Sequence, residues 1–187
     1  MRVTPARRIA FEILRRVETE SAYAADLLHA RLGPKTKRED AALATELTLG
    51  VLRWRRLLDC LLERHLDKPL AGMDLEVVLA LRLGLYQLRF LTRVPPRAAV
   101  HQSVEFVKSA RKRSAAPLVN AVLRRAASEA DRPAEQLVDP DLPKAERLGI
   151  LYSHPTWMVA RWLGQFGEPR TMALLEWNNR PDRKSVV

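Results

Sequence analysis

MDLEVVLALRLGLYQLRFLTR, residues 73–93, is the stretch that decides the fold of this chain. Asp74 is a suitable N-cap, and the residues from Leu75 to Leu91 predict a helix with apolar side chains on almost every side. A helix that is apolar all round is buried, so other helices are expected to pack around it. A membrane span is disfavoured because the run is short and contains three charges. A glycine in the middle of a helix, here Gly84, costs about 1 kcal/mol of helix stability relative to Ala. Its presence therefore predicts that another helix crosses closely at this point.

The whole chain predicts an all-α protein. Its 187 residues are 47% hydrophobic, which is enough to bury a core and argues against a disordered chain. Seven glycines are few for a β-sandwich or barrel, and no stretch alternates long enough to predict a strand. A first helix is expected from Pro5 behind the N-cap Thr4. Periodicity and breakers place further helices near residues 24–32, 38–66 (bent at Gly50), 97–110, 118–129, 143–151, 155–165 and 168–178.

The positive charge is concentrated in the first 130 residues. Residues 1–70 contain 14 Lys and Arg against 10 Asp and Glu, residues 71–130 contain 10 against 4, and residues 131–187 contain 8 against 8. Arginine predominates, and its planar guanidinium suits phosphate groups. A compact basic domain indicates a polyanionic partner, most often nucleic acid. An arginine-rich proteome is the alternative explanation.

Three basic segments are the candidate polyanion-binding elements. Helix one has arginines in its first turn, where the helix dipole disfavours positive charge. The residues predicted to face outward are Arg8, Glu12, Arg15 and Arg16, with Arg7 at the edge of that face. The loop after the fifth predicted helix carries four cations, and the next helix extends the basic surface. Trp54 lies among arginines and is interpreted as a packing residue, with base stacking as the alternative. The predicted RNA-binding residues are Arg7, Arg8, Arg15, Lys108, Arg111, Lys112, Arg113 and Arg124.

No motif for catalysis, cofactor binding or metal binding is present. The glycines form no phosphate or dinucleotide loop, the four histidines do not cluster with carboxylates, and no serine lies in a nucleophile elbow. Cys60 is the only cysteine, which excludes a disulfide within the chain, and it is interpreted as a small core residue. The N-terminus has no apolar signal run, so a cytoplasmic protein without a membrane partner is expected. The sequence assigns no oligomeric state.

A change of character after residue 130 suggests a domain boundary. Residues 1–130 are predicted to form a helical domain, and the acidic, proline-rich residues 131–142 are interpreted as a linker. Residues 143–181 contain three tryptophans in short amphipathic helices, more aromatic surface than so short a segment easily buries. They are therefore interpreted as the incomplete start of a second domain.

Residues 81–125, LRLGLYQLRFLTRVPPRAAVHQSVEFVKSARKRSAAPLVNAVLRR, are similar to the NusB family of RNA-binding helical domains. The resemblance rests on Arg82-x-Gly84-x-Tyr86-Gln87-Leu88, on Val94-Pro95 followed by Ala98 and Ala99, and on Val119-Asn120-Ala121-Val122-Leu123-Arg124. Residues 50–59 and 152–179 resemble one branch of that family in particular. In this branch, the Sun-type 16S rRNA cytosine-C5 methyltransferases, a NusB-like domain precedes the methyltransferase domain.

This resemblance, which spans about residues 4–181, implies a NusB fold and RNA binding through the arginine-rich first helix, here Arg7 and Arg8. The full-length enzymes use S-adenosylmethionine and two catalytic cysteines in a Rossmann-like domain. Cys60 matches neither cysteine, so this chain is expected to be inactive and to bind no cofactor itself. The leading prediction is an RNA-docking module, a fragment of such an enzyme, acting on 16S rRNA. The alternatives are a stand-alone NusB-type antitermination factor, which binds RNA and a protein partner to regulate transcription, and a structural interaction domain.

The last six residues have a separate interpretation. The nucleotide sequence GATCGGAAGAGCGTCGTG encodes DRKSVV, the residues from Asp182 to Val187. That nucleotide sequence resembles a common sequencing-library adapter. Residues 182–187 are therefore hypothesised to be adapter read-through after a native sequence that ends near Pro181. Resequencing the locus tests this hypothesis.

Overall fold

A computed structural model describes residues 3–180, which form nine α-helices and no strand. The predicted all-α class is therefore confirmed. The predicted helix limits agree with the structure to within about two residues, except for residues 38–66. The helices are α1 (Pro5–Glu20), α2 (Ala24–Arg31), α3 (Arg38–Arg53), α4 (Arg55–Glu63), α5 (Leu75–Phe90), α6 (Pro96–Ser109), α7 (Ala116–Ser128), α8 (Lys144–Leu151) and α9 (Thr156–Asn178).

Helix α5 is the centre of the bundle, as its all-round apolar sequence predicts. Every residue from Val77 to Gln87 is buried, and α1, α3, α4, α6 and α7 all pack against it. None of the helices in residues 3–180 has both the length and the apolar character that a bilayer crossing requires. The run that decided the fold is therefore the core of a helical bundle.

The charged residue inside α5 joins three helices. Arg82 is 6% exposed and binds both carboxylate oxygens of Asp59 on α4, at 2.7 and 2.9 Å. Its third nitrogen, Nη1, lies 3.2 Å from Oε1 of Glu18 on α1. A buried guanidinium needs such partners because an isolated buried charge is very costly. Arg82 therefore connects α1 and α4 to the central helix.

The predicted close crossing at Gly84 is confirmed. A Cβ atom added to Gly84 would lie 2.7 Å from Oγ of Ser103 on α6 and would also collide with the side chain of Leu123 on α7. Both neighbouring side chains are fully buried, so neither has free space to move into. At Gly84, therefore, α6 and α7 pack so closely on the central helix that a side chain would not fit without a shift.

The prediction of one long helix bent at Gly50 is wrong. The helix over residues 38–66 is interrupted at Trp54, whose backbone (φ −100°, ψ 14°) separates α3 from α4. The Trp54 ring stacks on Phe90 of α5 at a centroid distance of 5.1 Å, which supports the packing interpretation of this side chain. Gly50 instead accommodates the ring of Tyr86, whose hydroxyl donates to Oε1 of Glu46 at 2.5 Å. The glycine is required for packing rather than for bending.

We expect Gly50→Ala to lower the free energy of unfolding by about 1 kcal/mol, although Ala is the better helix former. An added Cβ would overlap the Tyr86 ring, which is buried and hydrogen-bonded, and overpacking of this kind typically costs about 1–3 kcal/mol against a helix-propensity gain of about 1 kcal/mol. Gly164→Ala is the matched control, because nothing lies within 4 Å of its Cβ position and the change should be neutral or stabilising. Urea unfolding measures both, and equal effects would contradict this role of Gly50.

The segment interpreted as a linker packs into the bundle. Leu137 and Val138 are 3% and 1% exposed and belong to the main core, and Arg64, the residue that follows α4, donates to the carbonyl oxygen of Leu137 at 2.7 Å. Residues 131–142 are therefore not a free tether, because two apolar side chains in this acidic stretch are buried. The domain boundaries themselves stay a prediction, and residues 181–187, including the proposed read-through at 182–187, lie outside the described residues.

The last two helices also pack on α4. Arg56 donates to the carbonyl oxygen of His154 at 2.6 Å and to Oγ1 of Thr156 at 2.7 Å. Gly167 has φ 71° and ψ 174°, so α9 consists of two helical parts that meet there, as the sequence predicts. Four large apolar side chains of α9 remain 36–66% exposed, namely Trp157, Phe166, Leu174 and Trp177.

Candidate nucleic-acid interface

Helix α1 presents a basic outer face because its apolar residues lie on the opposite side. Its buried residues include Ala6, Ile9, Ala10 and Ile13, which recur at helical spacing. Arg8 and Arg15 are separated by about two helical turns and are both exposed. The outward orientation predicted for these two arginines is therefore confirmed.

Arg7 lies inside the protein, in contrast to its predicted place at the edge of the RNA-facing surface. It is 9% exposed, and its Nε donates to Oε1 of Gln87 on α5 at 2.6 Å. A second nitrogen donates to Oγ1 of Thr4 at 3.1 Å. Burial lowers the pKa of Arg7, which reflects partial loss of water around the guanidinium. The structure thus uses Arg7 to hold the first turn of α1, and a contact between Arg7 and RNA stays an untested prediction.

The first turn of α1 is also held by α6. The backbone N–H of Thr4 donates to Oε1 of Gln102 at 2.9 Å, and Gln102 is only 2% exposed. Gln87 completes its own hydrogen bonding by donating to the carbonyl oxygen of Leu83 at 2.8 Å. Two buried amide side chains therefore set the position at which Arg8 emerges. Neither role is predictable from the sequence, because a glutamine within a helical pattern gives no local sign of a partner 80 or more residues away.

The C-terminal end of α6 turns Arg111 towards α1. Arg111 adopts φ 61°, a left-handed conformation that glycine normally occupies. The N–H of Lys112 donates to the carbonyl oxygen of Val107 at 2.8 Å, and the N–H of Arg111 donates to that of Lys108 at 3.2 Å. This pair of bonds is the Schellman arrangement that ends a helix. An arginine here costs about 1 kcal/mol or more in backbone strain, a cost often found at functional positions.

A groove of about 910 Å³ brings α1 and the end of α6 together. It unites three of the predicted RNA-binding residues, Arg8, Arg15 and Arg111, although Arg111 is about 100 residues away in sequence. Its floor includes Phe11 and Phe106, whose rings stack at 4.7 Å with an angle of 10° between their planes. Both phenylalanines are buried, so they support the groove and offer little open face for base stacking. The groove is the candidate interface.

The groove carries no net charge from its own lining. Its three arginines are matched by three carboxylates, Glu12, Glu76 and Glu105. A hydrogen bond from Lys108 lowers the pKa of Glu105, which favours the charged form of this carboxyl. A polyanion that crosses the groove therefore contacts arginines but also meets repulsion. The groove alone is a weak explanation for tight polyanion binding.

The other predicted residues do not line the groove. Lys108 pairs with Glu105 at 2.8 Å and Lys112 pairs with Asp74 at 3.0 Å. Both are solvent-accessible ion pairs, which contribute little stability, so a phosphate group could replace the carboxylate at small cost. Arg113 and Arg124 are exposed on the short turn before α7 and on α7 itself. The structure thus gathers three of the eight predicted side chains into one groove.

Other kinds of site receive no support from the described residues. No group of three or more His, Cys, Asp or Glu side chains in residues 3–180 is arranged to hold a metal ion. Cys60 is half-buried, and desolvation raises the pKa of its thiol, which opposes formation of the reactive thiolate. The Rossmann-like site expected for S-adenosylmethionine lies at the ends of parallel strands, and residues 3–180 contain none.

Comparison with solved structures places this fold among known helical proteins. The structure of T. maritima NusB superposes with a TM-score of 0.62 at 23% identity, covering 73% of this chain and 99% of that protein. A structure of antitermination factors NusB and NusE in complex with dsRNA matches with a TM-score of 0.57 at 25% identity, covering 66% of this chain and 93% of that one. The first of these likenesses concerns the fold alone.

Curated sequences extend the match beyond the NusB-like part. A Bacillus subtilis protein named "Probable ribosomal RNA small subunit methyltransferase B" is 34% identical over 168 residues, which are 89% of this chain and 36% of that protein. The Shigella boydii ribosomal RNA small subunit methyltransferase B is 33% identical over 149 residues, covering 80% of this chain and 32% of the relative. The chain spans about a third of the length of these relatives.

The family model supplies the assignment that the fold and sequence similarities support. The model of the NusB family matches residues 4–128, which include α1 to α7 and every residue of the groove lining except Val3. The Arg82-x-Gly84-x-Tyr86-Gln87 motif, on which the resemblance rests, forms the buried contacts of α5 with its neighbours. This chain belongs to the NusB family.

Proposed function

We propose that this chain is the RNA-docking module of an S-adenosylmethionine-dependent 16S rRNA cytosine-C5 methyltransferase. It binds rRNA and positions it for a catalytic domain that is not contained in these 187 residues. The observation that carries the proposal is the convergence of Arg8 and Arg15 of α1 with Arg111 of α6 on one groove of a NusB-family bundle. The small-subunit rRNA methyltransferase relatives support the choice of rRNA as the ligand.

The proposed mechanism is docking through the phosphate backbone. Exposed arginines neutralise phosphates and release counterions, which gives affinity and orientation without reading bases. Arg7 and Gln87 hold the first turn of α1, so Arg8 is presented from a fixed helix rather than from a mobile tail. Fixed donors lose less conformational freedom on binding. S-adenosylmethionine and methyl transfer belong to the rest of such an enzyme.

The exposed aromatic side chains of α9 favour contact with more protein, which both the enzyme proposal and its alternative supply. Trp157 and Trp177 are 65% and 66% exposed, and large exposed aromatic groups commonly mark a surface that contacts more protein. The alternative is a stand-alone antitermination factor that binds RNA and a protein partner, and it shares the same RNA-facing groove. Neither proposal requires a catalytic residue in this chain.

We expect Arg8→Gln/Arg15→Gln to weaken binding to 16S rRNA oligonucleotides about tenfold, as expected for roughly 0.7 kcal/mol per exposed charge contact. The slope of log K against log salt should fall in magnitude by about 1.4, since each phosphate contact to single-stranded RNA contributes about 0.7. Fluorescence anisotropy titrations over a series of salt concentrations measure both quantities.

The matched control is Arg161→Gln/Arg170→Gln, which removes the same charge from exposed positions of α9. It should change affinity only slightly, because those residues lie outside the groove lining. If the α1 variant and the control lose affinity equally, binding depends on net charge alone and the proposed interface is wrong.

A further inference from the structure

A basic cleft, the α1–α3 cleft, lies beside the groove. It has a volume of about 350 Å³ and lies between the first turns of α1 and α3. Its lining consists of Pro5, Arg8, Ile9, Arg31, Lys35, Thr36, Lys37 and Asp40. Neither the sequence motifs nor the resemblance assigned a role to the loop that carries Lys35 and Lys37.

The cleft is more positive than the groove. Four of its lining residues are cationic and one, Asp40, is anionic, which gives a net charge of +3, whereas the groove lining is neutral. Clustered charges of one sign in a concave surface focus the potential and attract counterions. The cleft lining is therefore expected to attract a polyanion more strongly than the groove lining does.

The cations of the cleft are available to a ligand. Within residues 3–180, no carboxylate lies within 4.0 Å of the charged nitrogens of Arg8, Lys35 or Lys37. Arg31 has one carboxylate partner, Glu12, at 3.4 Å, and both side chains of that pair are about half exposed. Like charges crowded in this way repel one another, and an anionic ligand would relieve the repulsion.

Backbone groups add to the positive potential. Pro5 is the first residue of α1, and Lys37 is the N-cap of α3, so the N-terminal ends of two helices border the cleft. Within the described residues neither helix has a side-chain hydrogen bond that caps this end. Helix N-termini carry a partial positive charge and unpaired N–H groups, which favour phosphate.

Arg8 connects the cleft to the groove, because it lines both. We propose that the α1–α3 cleft is a second RNA-phosphate subsite, so that one RNA backbone crosses α1 from Arg111 and Arg15, past Arg8, to Lys37 and Lys35. This inference rests on the proposed RNA-docking function and adds a binding site to it. It commits to RNA as the occupant because the groove on the other side of Arg8 is the candidate RNA interface.

The test is Lys35→Gln/Lys37→Gln in the full 187-residue chain, with a single-stranded RNA of about 12 nucleotides, a length within the range of about 4–16 nucleotides that a single-strand-binding OB-fold covers. We expect about a tenfold loss of affinity and a salt slope reduced in magnitude by about 1.4, since two phosphate contacts are lost. In the unaltered protein, RNA should also shift the backbone amide NMR signals of residues 37–40, and the variant should lose most of that shift. Both lysines are exposed, so the melting temperature should not change.

Arg161→Gln/Arg170→Gln is again the control for net charge. If Lys35→Gln/Lys37→Gln behaves like this control while Arg8→Gln/Arg15→Gln weakens binding, the subsite is wrong and the proposed function stands. If all three variants behave alike, the proposed function fails as well. If a polyglutamate peptide binds as tightly as RNA and depends equally on Lys35 and Lys37, the cleft is a site for an acidic peptide and the RNA assignment is overturned.

Discussion

Replacing Arg82 with Met is expected to lower the free energy of unfolding by about 3 kcal/mol, near the lower end of the range for breaking a buried ion pair. Arg82 is the only described cation that joins α5 to both α1 and α4 through carboxylates. Met retains much of the apolar volume but leaves Asp59 and Glu18 without their shared partner. The lower end applies because the side chains of those two acids are 28% and 19% exposed, so water can reach them.

Urea unfolding followed by circular dichroism measures this loss, and an unchanged m-value would show that the folded state is retained. Arg93→Met is the control, since Arg93 is exposed and the change should stay within about 0.5 kcal/mol. Adding Asp59→Asn to Arg82→Met should recover part of the stability, because it removes the uncompensated carboxylate. A further loss on adding Asp59→Asn would contradict this account of the cluster.

Arg7→Met and Arg8→Met are expected to have opposite consequences although the residues are neighbours. Arg7→Met should lower the free energy of unfolding by about 2 kcal/mol, because Gln87 and Thr4 lose hydrogen bonds to a charged donor inside the protein. Arg8 is exposed and lines the groove, so Arg8→Met should leave stability unchanged within about 0.5 kcal/mol. Its effect should instead be a severalfold loss of RNA affinity, with a salt slope reduced in magnitude by about 0.7.

The two variants are separated by measuring stability and binding on the same preparations. Arg7→Met should keep the salt dependence of the unaltered protein at a temperature where it is fully folded. If Arg7→Met instead retains full stability and flattens the salt dependence, the Arg7 guanidinium contacts RNA and the sequence-based prediction is correct. The comparison therefore decides whether Arg7 positions α1 or binds phosphate directly.

Helix content and the identity of the central helix were predictable from the sequence because both depend on local patterns. The continuous apolar run of α5 predicted its burial, and Pro5, Pro96 and the glycine–proline pair at Gly33 marked helix ends. The break at Trp54 was not predictable in the same way. Gly50 is the better local breaker, but the helix continues past it to Arg53, and the contact with Tyr86 of another helix explains why a glycine stands there.

The sequence by itself determined that this chain is all-α, that α5 is buried, and that positive charge is concentrated in the first 130 residues. Only the tertiary structure decided which of two adjacent arginines is buried, because the choice depends on Gln87, which is 80 residues away. It also decided that Arg111 joins Arg8 in the groove and that Lys35 and Lys37 lie beside them. Periodicity assigns a residue to a face of its own helix. The meeting of two faces from distant segments is set by how the helices pack around α5, and no local pattern encodes it.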